Sequence, residues 1–579
     1  MPRLRLRLYP GKILYTGAAA FAVVPVLFGW GVGDPSALRW MFIYAACAVL
    51  VLLCAYQVVL GVRPKVGQPL LWLAVFCAWA GLSISWSGDW RAGALAWPNY
   101  LVAFFIFWAS IHITAPQLHA MATVALAGVA GMGLYRPEWF GGFGNENFQA
   151  EYIIIVLPLL LAGRGHWRYL SAIVAAFALF VLFRDTSSKL PYFAGLGLYV
   201  ICVGWLFTKR HWFWALFTTL VPLNIALFSG VFGQEDMYRS VAVRLELYIN
   251  TVNAWLTSPI WGHGLGGFNW IYPKFQESHY AIYPQSETVL TLATFFAGAA
   301  HNEYLQVLND FGMVGALLAT LFLLSLLLNS NPKPVGPLLS IYMLGWLSLI
   351  GFPLQNPATV TVGAVVAGVL ARGASFRLVC AIATPLRLSA AAAACFLSLA
   401  AAAAVPILYE AERAYTLTRL TIEKKPLKAF ASNIRAHQLV PWNAQYRRQL
   451  ILTLGRVLTV HGDRVQLSDS AADKVYWAGQ STSPWNPSVQ ASHVQYLLNT
   501  GRWKENLAEI NTIMAGLKST APHQVSIWMA DAWVGIFTRD VKRVLNALDR
   551  ARQLPRNEFY TAQIKKITSL LVYKKVEPK

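Results

Sequence analysis

The chain has 579 residues, of which 56% are hydrophobic and only 13% are charged, and its mean hydropathy is +0.47. These values exclude an ordinary soluble domain, in which about a quarter of the residues are charged, and predict an integral membrane protein. The formal net charge of +21 is distributed over loops and the C-terminal tail, and we expect no nucleic-acid partner.

The apolar stretches predict an all-α, polytopic membrane domain with about 12–13 spans, because a stretch near 20 residues is long enough to cross about 30 Å of hydrocarbon. The stretches at 119–135, 149–163 and 357–371 are shorter, which leaves the exact count open. The stretches lie at about 13–31, 40–61, 69–86, 95–114, 119–135, 149–163, 169–183, 190–207, 212–232, 311–329, 337–353, 357–371 and 387–409. The six cysteines lie inside apolar runs without metal-ligand spacing, so we interpret them as small buried hydrophobic residues.

The distribution of lysine and arginine orients these spans. The basic start MPRLRLRLYPGK precedes the first stretch and is interpreted as its cytoplasmic flank. Because cytoplasmic loops carry an excess of Lys and Arg, this orientation leaves the long segment 233–310 and the tail outside. We therefore predict a bacterial inner-membrane protein whose site and tail face the periplasm.

The tail differs in composition from the rest of the chain. Residues 1–410 are predicted to form the membrane domain, and residues 411–579 a soluble, helical, repeat-like domain. The stretch NTGRWKENLAEI resembles the first helix of a tetratricopeptide-type hairpin, although the spacing of the repeated triplet PWN does not fit the usual period. The tail either binds a protein partner or only stabilises the fold.

Two outer segments are more polar than a connection requires. In RPEWFGGFGNENFQAEY, a glycine-rich turn lets backbone amides approach an anion, and Asn145 and Asn147 can bind hydroxyls of a glycan. In FRDTSSKLPY, Arg184 and Lys189 are available for a phosphate. Snorkelling at the headgroups would explain any one outer cation, but together with Arg136 they indicate an anion site.

The third polar segment is 233–310. It reads as an amphipathic helix at about 239–257, which begins at Arg239, followed by a glycine-rich turn and an aromatic-rich patch. If the next helix begins near His301, then Asn302, Gln306 and Asn309 share one face of it. Polar groups on one face of an entering helix are expected to line a cavity.

This combination of groups suits transfer from a lipid diphosphate. Cations neutralise the departing diphosphate, and a neutral imidazole at His301 accepts the proton of an acceptor hydroxyl. Since the chain contains no DxD motif, we expect a mechanism without a metal and without any other cofactor.

Four stretches occur in a recognisable order: GGFGNENFQAEYIIIVLPLLL, TSSK, VRLELYINTVNAWLTSPIWGHGLGGF and AHNEYLQVLNDFGMVGALLA. They resemble the landmarks of the bacterial superfamily of O-antigen ligases, O-antigen polymerases and protein O-oligosaccharyltransferases, over about residues 70–370. The last two landmarks are specific together.

The resemblance implies a GT-C-like glycosyltransferase that moves a glycan from undecaprenyl diphosphate to a glycan, lipid or protein acceptor. It implies that His301 is the base and that Arg244 contacts the donor diphosphate. A second family arginine corresponds here to Lys189, which keeps the charge but lacks the bidentate guanidinium, so Arg184 is a candidate to supply it.

We accordingly expect an O-antigen ligase-like enzyme, with a polymerase or a protein O-oligosaccharyltransferase as alternatives. The catalytic pair is His301 and Arg244. The predicted diphosphate-binding residues are Lys189, Arg184, Arg136 and Arg239, and the predicted glycan- or acceptor-binding residues are Asn145, Asn147, Asn302 and Gln306. A polysaccharide transporter or an inert assembly scaffold is the alternative of another class.

Overall fold

The computed structural model describes most of the chain between residues 67 and 569. The described ranges are 67–135, 146–162, 167–185, 235–282, 299–328, 334–372, 384–422, 424–443, 445–447, 449–450, 453–454, 487–499, 501–520, 524–554 and 564–569, with single positions at 43, 44, 48, 51, 457, 522 and 561. Every regular element within these ranges is a helix, which confirms the predicted all-α class.

The helices before residue 372 follow the order of the predicted spans, with the long segment 233–310 between them. They are α1 (Gln68–Ser83), α2 (Trp90–Ser110), α3 (Ala115–Tyr135), α4 (Glu146–Val156), α5 (Trp167–Asp185), α6 (Glu235–Leu256), α7 (Gly267–Ile282), α8 (Glu303–Leu327), α9 (Val335–Ile350) and α10 (Pro357–Ala371).

Within the described ranges, three helical segments are long and apolar enough to cross a membrane: Gln68–Trp86, Trp90–Ser110 and Glu303–Leu327. Several shorter apolar helices accompany them, which agrees with a multi-pass membrane protein. The predicted span 311–329 began too late, because the first two turns of α8 carry the polar residues that apolar patterning passes over. The predicted spans at 13–31, 190–207 and 212–232, and most of 40–61, lie outside the described residues.

The largest apolar core forms where α2, α3, α4, α9 and α10 meet. Helix α4 is buried against α9 and α10, and its side chains from Ala150 to Val156 are all less than one-tenth exposed. A carboxyl group on α4 is consequently held away from water. Helix α8 packs along α1 and also contacts α6 and α7.

The predicted amphipathic helix is confirmed as α6, which packs on α7 and α8. Its outer side exposes Leu245, Ile249 and Leu256. An apolar stripe on an otherwise polar helix is the pattern of a helix that lies along the headgroup region.

The turn between α6 and α7 fixes α6 against α8. Backbone amides of His263 and Gly264 donate to the carbonyls of Asn309 and Asp310 at 2.8 Å each. In return, the Met313 amide donates to the Pro259 carbonyl at 2.9 Å. The turn and the middle of α8 are therefore joined through their backbones.

The predicted boundary between the membrane domain and the tail lies within a helix. Helix α11 (Thr384–Thr421) has 38 residues and continues through position 410, the predicted boundary. It is followed by α12 (Pro426–Leu439), α13 (Pro487–Asn499), α14 (Leu507–Thr520), α15 (Val525–Thr538) and α16 (Val541–Gln553).

The stretch NTGRWKENLAEI is a junction and not the first helix of a hairpin, so that interpretation was wrong. It runs from the end of α13 through a short 3-10 turn, Arg502–Lys504, into α14. Gly501 has a φ of 76°, a left-handed conformation that ends α13. The repeat character of the tail stays a prediction.

Candidate functional site

His301 stands immediately before α8, a helix that is long and apolar enough to cross a membrane. Its φ is 53°, in the left-handed region that few residues other than glycine adopt. The next residue, Asn302, caps α8 by accepting a hydrogen bond from the Leu305 amide at 3.1 Å. The unusual backbone of His301 turns the chain into the helix, and such strain is concentrated at functional sites.

The segment 349–354, between α9 and α10, surrounds His301. The Phe352 ring meets the imidazole edge to face, with ring centroids 4.6 Å apart. The Leu349 carbonyl accepts hydrogen bonds from the Tyr248 hydroxyl at 3.0 Å and from the Asn302 amide at 3.1 Å. The Tyr248 hydroxyl also lies 3.1 Å from the His301 carbonyl. Helices α6 and α8 and this segment thus converge on one histidine.

Arg244 lies on α6, one turn before Tyr248, and is partly exposed. Burial, together with the positive charge of Arg244, lowers the pKa of His301 to about 4. The imidazole is therefore neutral at physiological pH and can accept a proton. Within the described part of the chain, no carboxylate forms an ion pair with Arg244, so its guanidinium is available for an anion.

Two of the predicted glycan-binding amides hold the backbone around His301. Besides capping α8, Asn302 binds the Leu349 carbonyl. The Gln306 side chain accepts from the Ala300 amide at 2.9 Å and donates to Asp310 at 2.9 Å. Asn309, on the same face, is fully buried and donates to Asp310 at 3.0 Å.

The remaining predicted residues are only partly placed. Asn147 is half-buried near the start of α4. Arg184 and Arg239 belong to α5 and α6, but their side chains lie outside the described part of the structure. Arg136, Asn145 and Lys189 also lie outside the described residues.

Sequence reasoning missed Glu151, on the second turn of α4. It is 7% exposed, and its carboxyl lies within electrostatic range of both Arg244 and Glu303. Glu303 itself accepts a hydrogen bond from the Leu354 amide at 2.9 Å. The signal that could have found Glu151 was an acid that stands almost directly before the apolar run inside the GGFGNENFQAEYIIIV landmark.

A second histidine within the same landmarks, His263, is hydrogen-bonded to the end of α6 and has a structural role. His263, in the WGHGLGG turn, has its Nε2 atom 2.8 Å from the Ala254 carbonyl and 3.1 Å from the Thr257 hydroxyl. Burial lowers its pKa, so this ring is neutral and holds the end of α6. Among the described residues, no group of three or more His, Cys, Asp or Glu side chains could hold a metal ion.

One comparison with known proteins bears on this arrangement. Residues 102–320 match a protein-family model whose description is O-antigen ligase. The matched region contains Glu151, Arg244, His301 and most of α8. No curated protein matches the chain.

Proposed function

Since this chain carries an O-antigen ligase domain at residues 102–320 and is a member of the O-antigen ligase and polymerase superfamily, we propose that it is a glycosyltransferase of the ligase type. It moves a glycan from undecaprenyl diphosphate to an acceptor hydroxyl at the periplasmic face of the inner membrane. The observation that carries this proposal is a neutral His301 in the field of Arg244, inside the matched region.

In the proposed reaction, the His301 imidazole accepts the proton of the acceptor hydroxyl as the oxygen attacks the anomeric carbon. The bond between that carbon and the diphosphate oxygen breaks, and the lipid diphosphate leaves with the bonding electron pair. Arg244 stabilises the negative charge that develops on the leaving group. No metal is required for any of these steps.

The other predicted residues have proposed roles around this pair. Arg184, Lys189, Arg136 and Arg239 bind the diphosphate, and Asn145 and Asn147 contact the glycan. Asn302 and Gln306 hold the backbone at His301 and offer their remaining hydrogen-bonding capacity to the acceptor. Each role can be tested by substituting the residue and measuring glycan transfer.

The first test compares membranes from cells that lack the protein and are complemented with the wild type or with His301→Ala. Surface lipopolysaccharide, free polysaccharide, glycosylated protein and the lipid-linked glycan pool are profiled together. We expect the lipid-linked glycan to accumulate on the periplasmic side in the variant while one product disappears. That product identifies the acceptor and thereby separates a ligase from a polymerase or a protein O-oligosaccharyltransferase.

The same experiment addresses the competing class. A transporter would trap lipid-linked glycan on the cytoplasmic face, and a scaffold would work without His301. We favour the enzyme because the ionisable groups cluster at one end of α8, whereas transporter sites generally lie near the bilayer midplane.

A further inference from the structure

Glu151 has an unusual environment for a buried carboxyl. One of its oxygens, Oε2, is inaccessible to solvent and makes no hydrogen bond with any described residue. A buried acceptor without a donor loses its hydration without compensation, so such atoms call for an explanation. One explanation is a ligand that supplies the donor.

The neighbours of Glu151 connect it to both halves of the proposed site. A Cβ atom built on Gly351 would lie 2.6 Å from the Glu151 Oε1 atom, so a larger residue at this position would displace the carboxyl. Phe148, one turn earlier on the same face of α4, meets Phe352 edge to face at 5.3 Å. Phe352 in turn contacts His301.

Glu151 is also within electrostatic range of Arg244, without forming an ion pair. The carboxyl is therefore close to the cation proposed for the diphosphate, and the ring contacts of Phe148 and Phe352 connect its helix to the histidine proposed for the acceptor. In a diphosphate-linked glycan, the group between the diphosphate and the incoming hydroxyl is the sugar whose anomeric carbon reacts. Sugar hydroxyls are hydrogen-bond donors, and the oxygens of a carboxyl group accept hydrogen bonds from them.

We propose that Glu151 binds the donor sugar, with its Oε2 atom accepting a hydrogen bond from a hydroxyl of the residue attached to the diphosphate. The inference rests on the proposed function and deepens it by assigning a sugar subsite next to the diphosphate. The subsite is formed by Glu151 with the rings of Phe148 and Phe352, and Gly351 leaves space for the Glu151 carboxyl.

The test measures the binding of two probes to purified protein in nanodiscs: undecaprenyl diphosphate, and the same lipid carrying the host's glycan. We expect Glu151→Gln to weaken binding of the glycosylated lipid roughly fivefold, since glutamine keeps only one of the two acceptor oxygens and replaces the other with an NH2 group that cannot accept a hydrogen bond. Binding of bare undecaprenyl diphosphate should be unchanged. Arg244→Ala should weaken the binding of both lipids.

The control is Glu412→Gln. Glu412 is an equally buried acid whose Oε2 atom accepts from the Tyr446 hydroxyl at 2.7 Å, a bond that glutamine can also accept. It should bind both lipids as the wild type does. Gly351→Ala, whose methyl displaces the Glu151 carboxyl, should reproduce the selective loss. This second variant keeps the comparison available if Glu151→Gln fails to accumulate.

Equal weakening of both lipids by Glu151→Gln would show that this carboxyl supports the diphosphate electrostatically, and unchanged binding of both would show a purely structural group. Either result overturns the sugar subsite. If Arg244→Ala and the wild type bind both lipids alike, the proposed function itself fails, whatever the result for Glu151.

Discussion

His301 combines a strained backbone with a depressed basicity. Its left-handed φ costs about 1–2 kcal/mol, and the structure around it compensates through the Tyr248 hydroxyl and the Phe352 ring. The burial that lowers the pKa of the imidazole also keeps it neutral, as the proposed proton acceptance requires. Position and protonation state thus have the same structural origin.

The pKa of about 4 gives a prediction for pH dependence. At about pH 5, an ordinary histidine would be only about 3% neutral, whereas His301 stays about nine-tenths neutral. The transfer rate should therefore be nearly constant from about pH 7 to pH 5 and fall only as the pH approaches 4. Rates from proteoliposomes with lipid-linked glycan test this, and an acid limb centred near pH 6.5 would contradict it.

The same pKa shift makes the free energy of unfolding decrease as the pH falls. Because the folded-state pKa lies below the unfolded value of about 6.5, the unfolded chain binds the proton first as the pH falls. The neutral His301 contributes its stability above pH 6.5, and this contribution is lost as the pH falls through about 4.

Arg244 allows a prediction about geometry. Arg244→Lys keeps the charge but loses the planar, bidentate donor pair that matches a phosphate. We expect kcat to fall at least about tenfold, with Arg244→Ala lower still. Single-turnover transfer in proteoliposomes measures this. A lysine variant as fast as the wild type would mean that a point charge is sufficient.

Among the helices, α8 is kinked at Gly312, and the turn between α6 and α7 packs against this kink. Gly262 and Gly312 have φ values of 69° and 65°, and a Cβ atom on Gly312 would lie 2.2 Å from the Ile260 carbonyl oxygen. The close approach permits the backbone hydrogen bonds that join α6 to α8. It thereby fixes the distance between the arginine on one helix and the histidine before the other.

Gly312→Ala should disrupt this contact. Gly312 combines a φ of 65° with a ψ of −166°, a conformation that costs any other residue about 1–3 kcal/mol, and the methyl also clashes with the turn. We expect a lower melting temperature in detergent and a loss of transfer activity. The matched control is Gly131→Ala on α3, where an added methyl meets nothing within 4 Å. Equal melting temperatures for the two variants would contradict the contact's role.

In the molecule as a whole, the tail packs against the start of α2 through a buried ion pair and a pair of tryptophans. Arg447 forms an ion pair with Asp89, and both side chains are 1% exposed. Asp89 also caps α2 by accepting from the Ala92 amide at 3.1 Å. Beside this pair, Trp90 of α2 and Trp442 of the tail have ring centroids 6.0 Å apart. These contacts favour the interpretation in which the tail stabilises the fold, although a partner for it stays a prediction.

Breaking the ion pair from one side should detach the tail. Arg447→Met leaves Asp89 buried and uncompensated, which costs about 3–5 kcal/mol. We expect faster proteolysis of the tail and a lower melting temperature. Adding Asp89→Asn should recover most of the loss, since asparagine still caps α2. The exposed Lys428→Ala serves as the control, and a double variant no better than the single one would argue against the pair.

Composition, periodicity and local motifs were enough to predict a membrane protein, the all-α fold, the amphipathic helix α6 and the family landmarks. These features depend on composition, on periodicity along one helix and on short local motifs, all of which are read over a few tens of residues. Helix starts that carry polar side chains, as in α8, were placed too late for the same reason.

How these helices and segments meet could not be predicted from such local patterns. The tertiary structure brought the 349–354 segment onto His301, set Glu151 within electrostatic range of Arg244 and paired Arg447 with Asp89, which is 358 residues away along the chain. None of these contacts has a local signature, because each depends on the packing of helices that are distant in sequence. The environment that makes a histidine neutral or leaves a carboxyl without a donor belongs to that packing, and not to the order of residues around it.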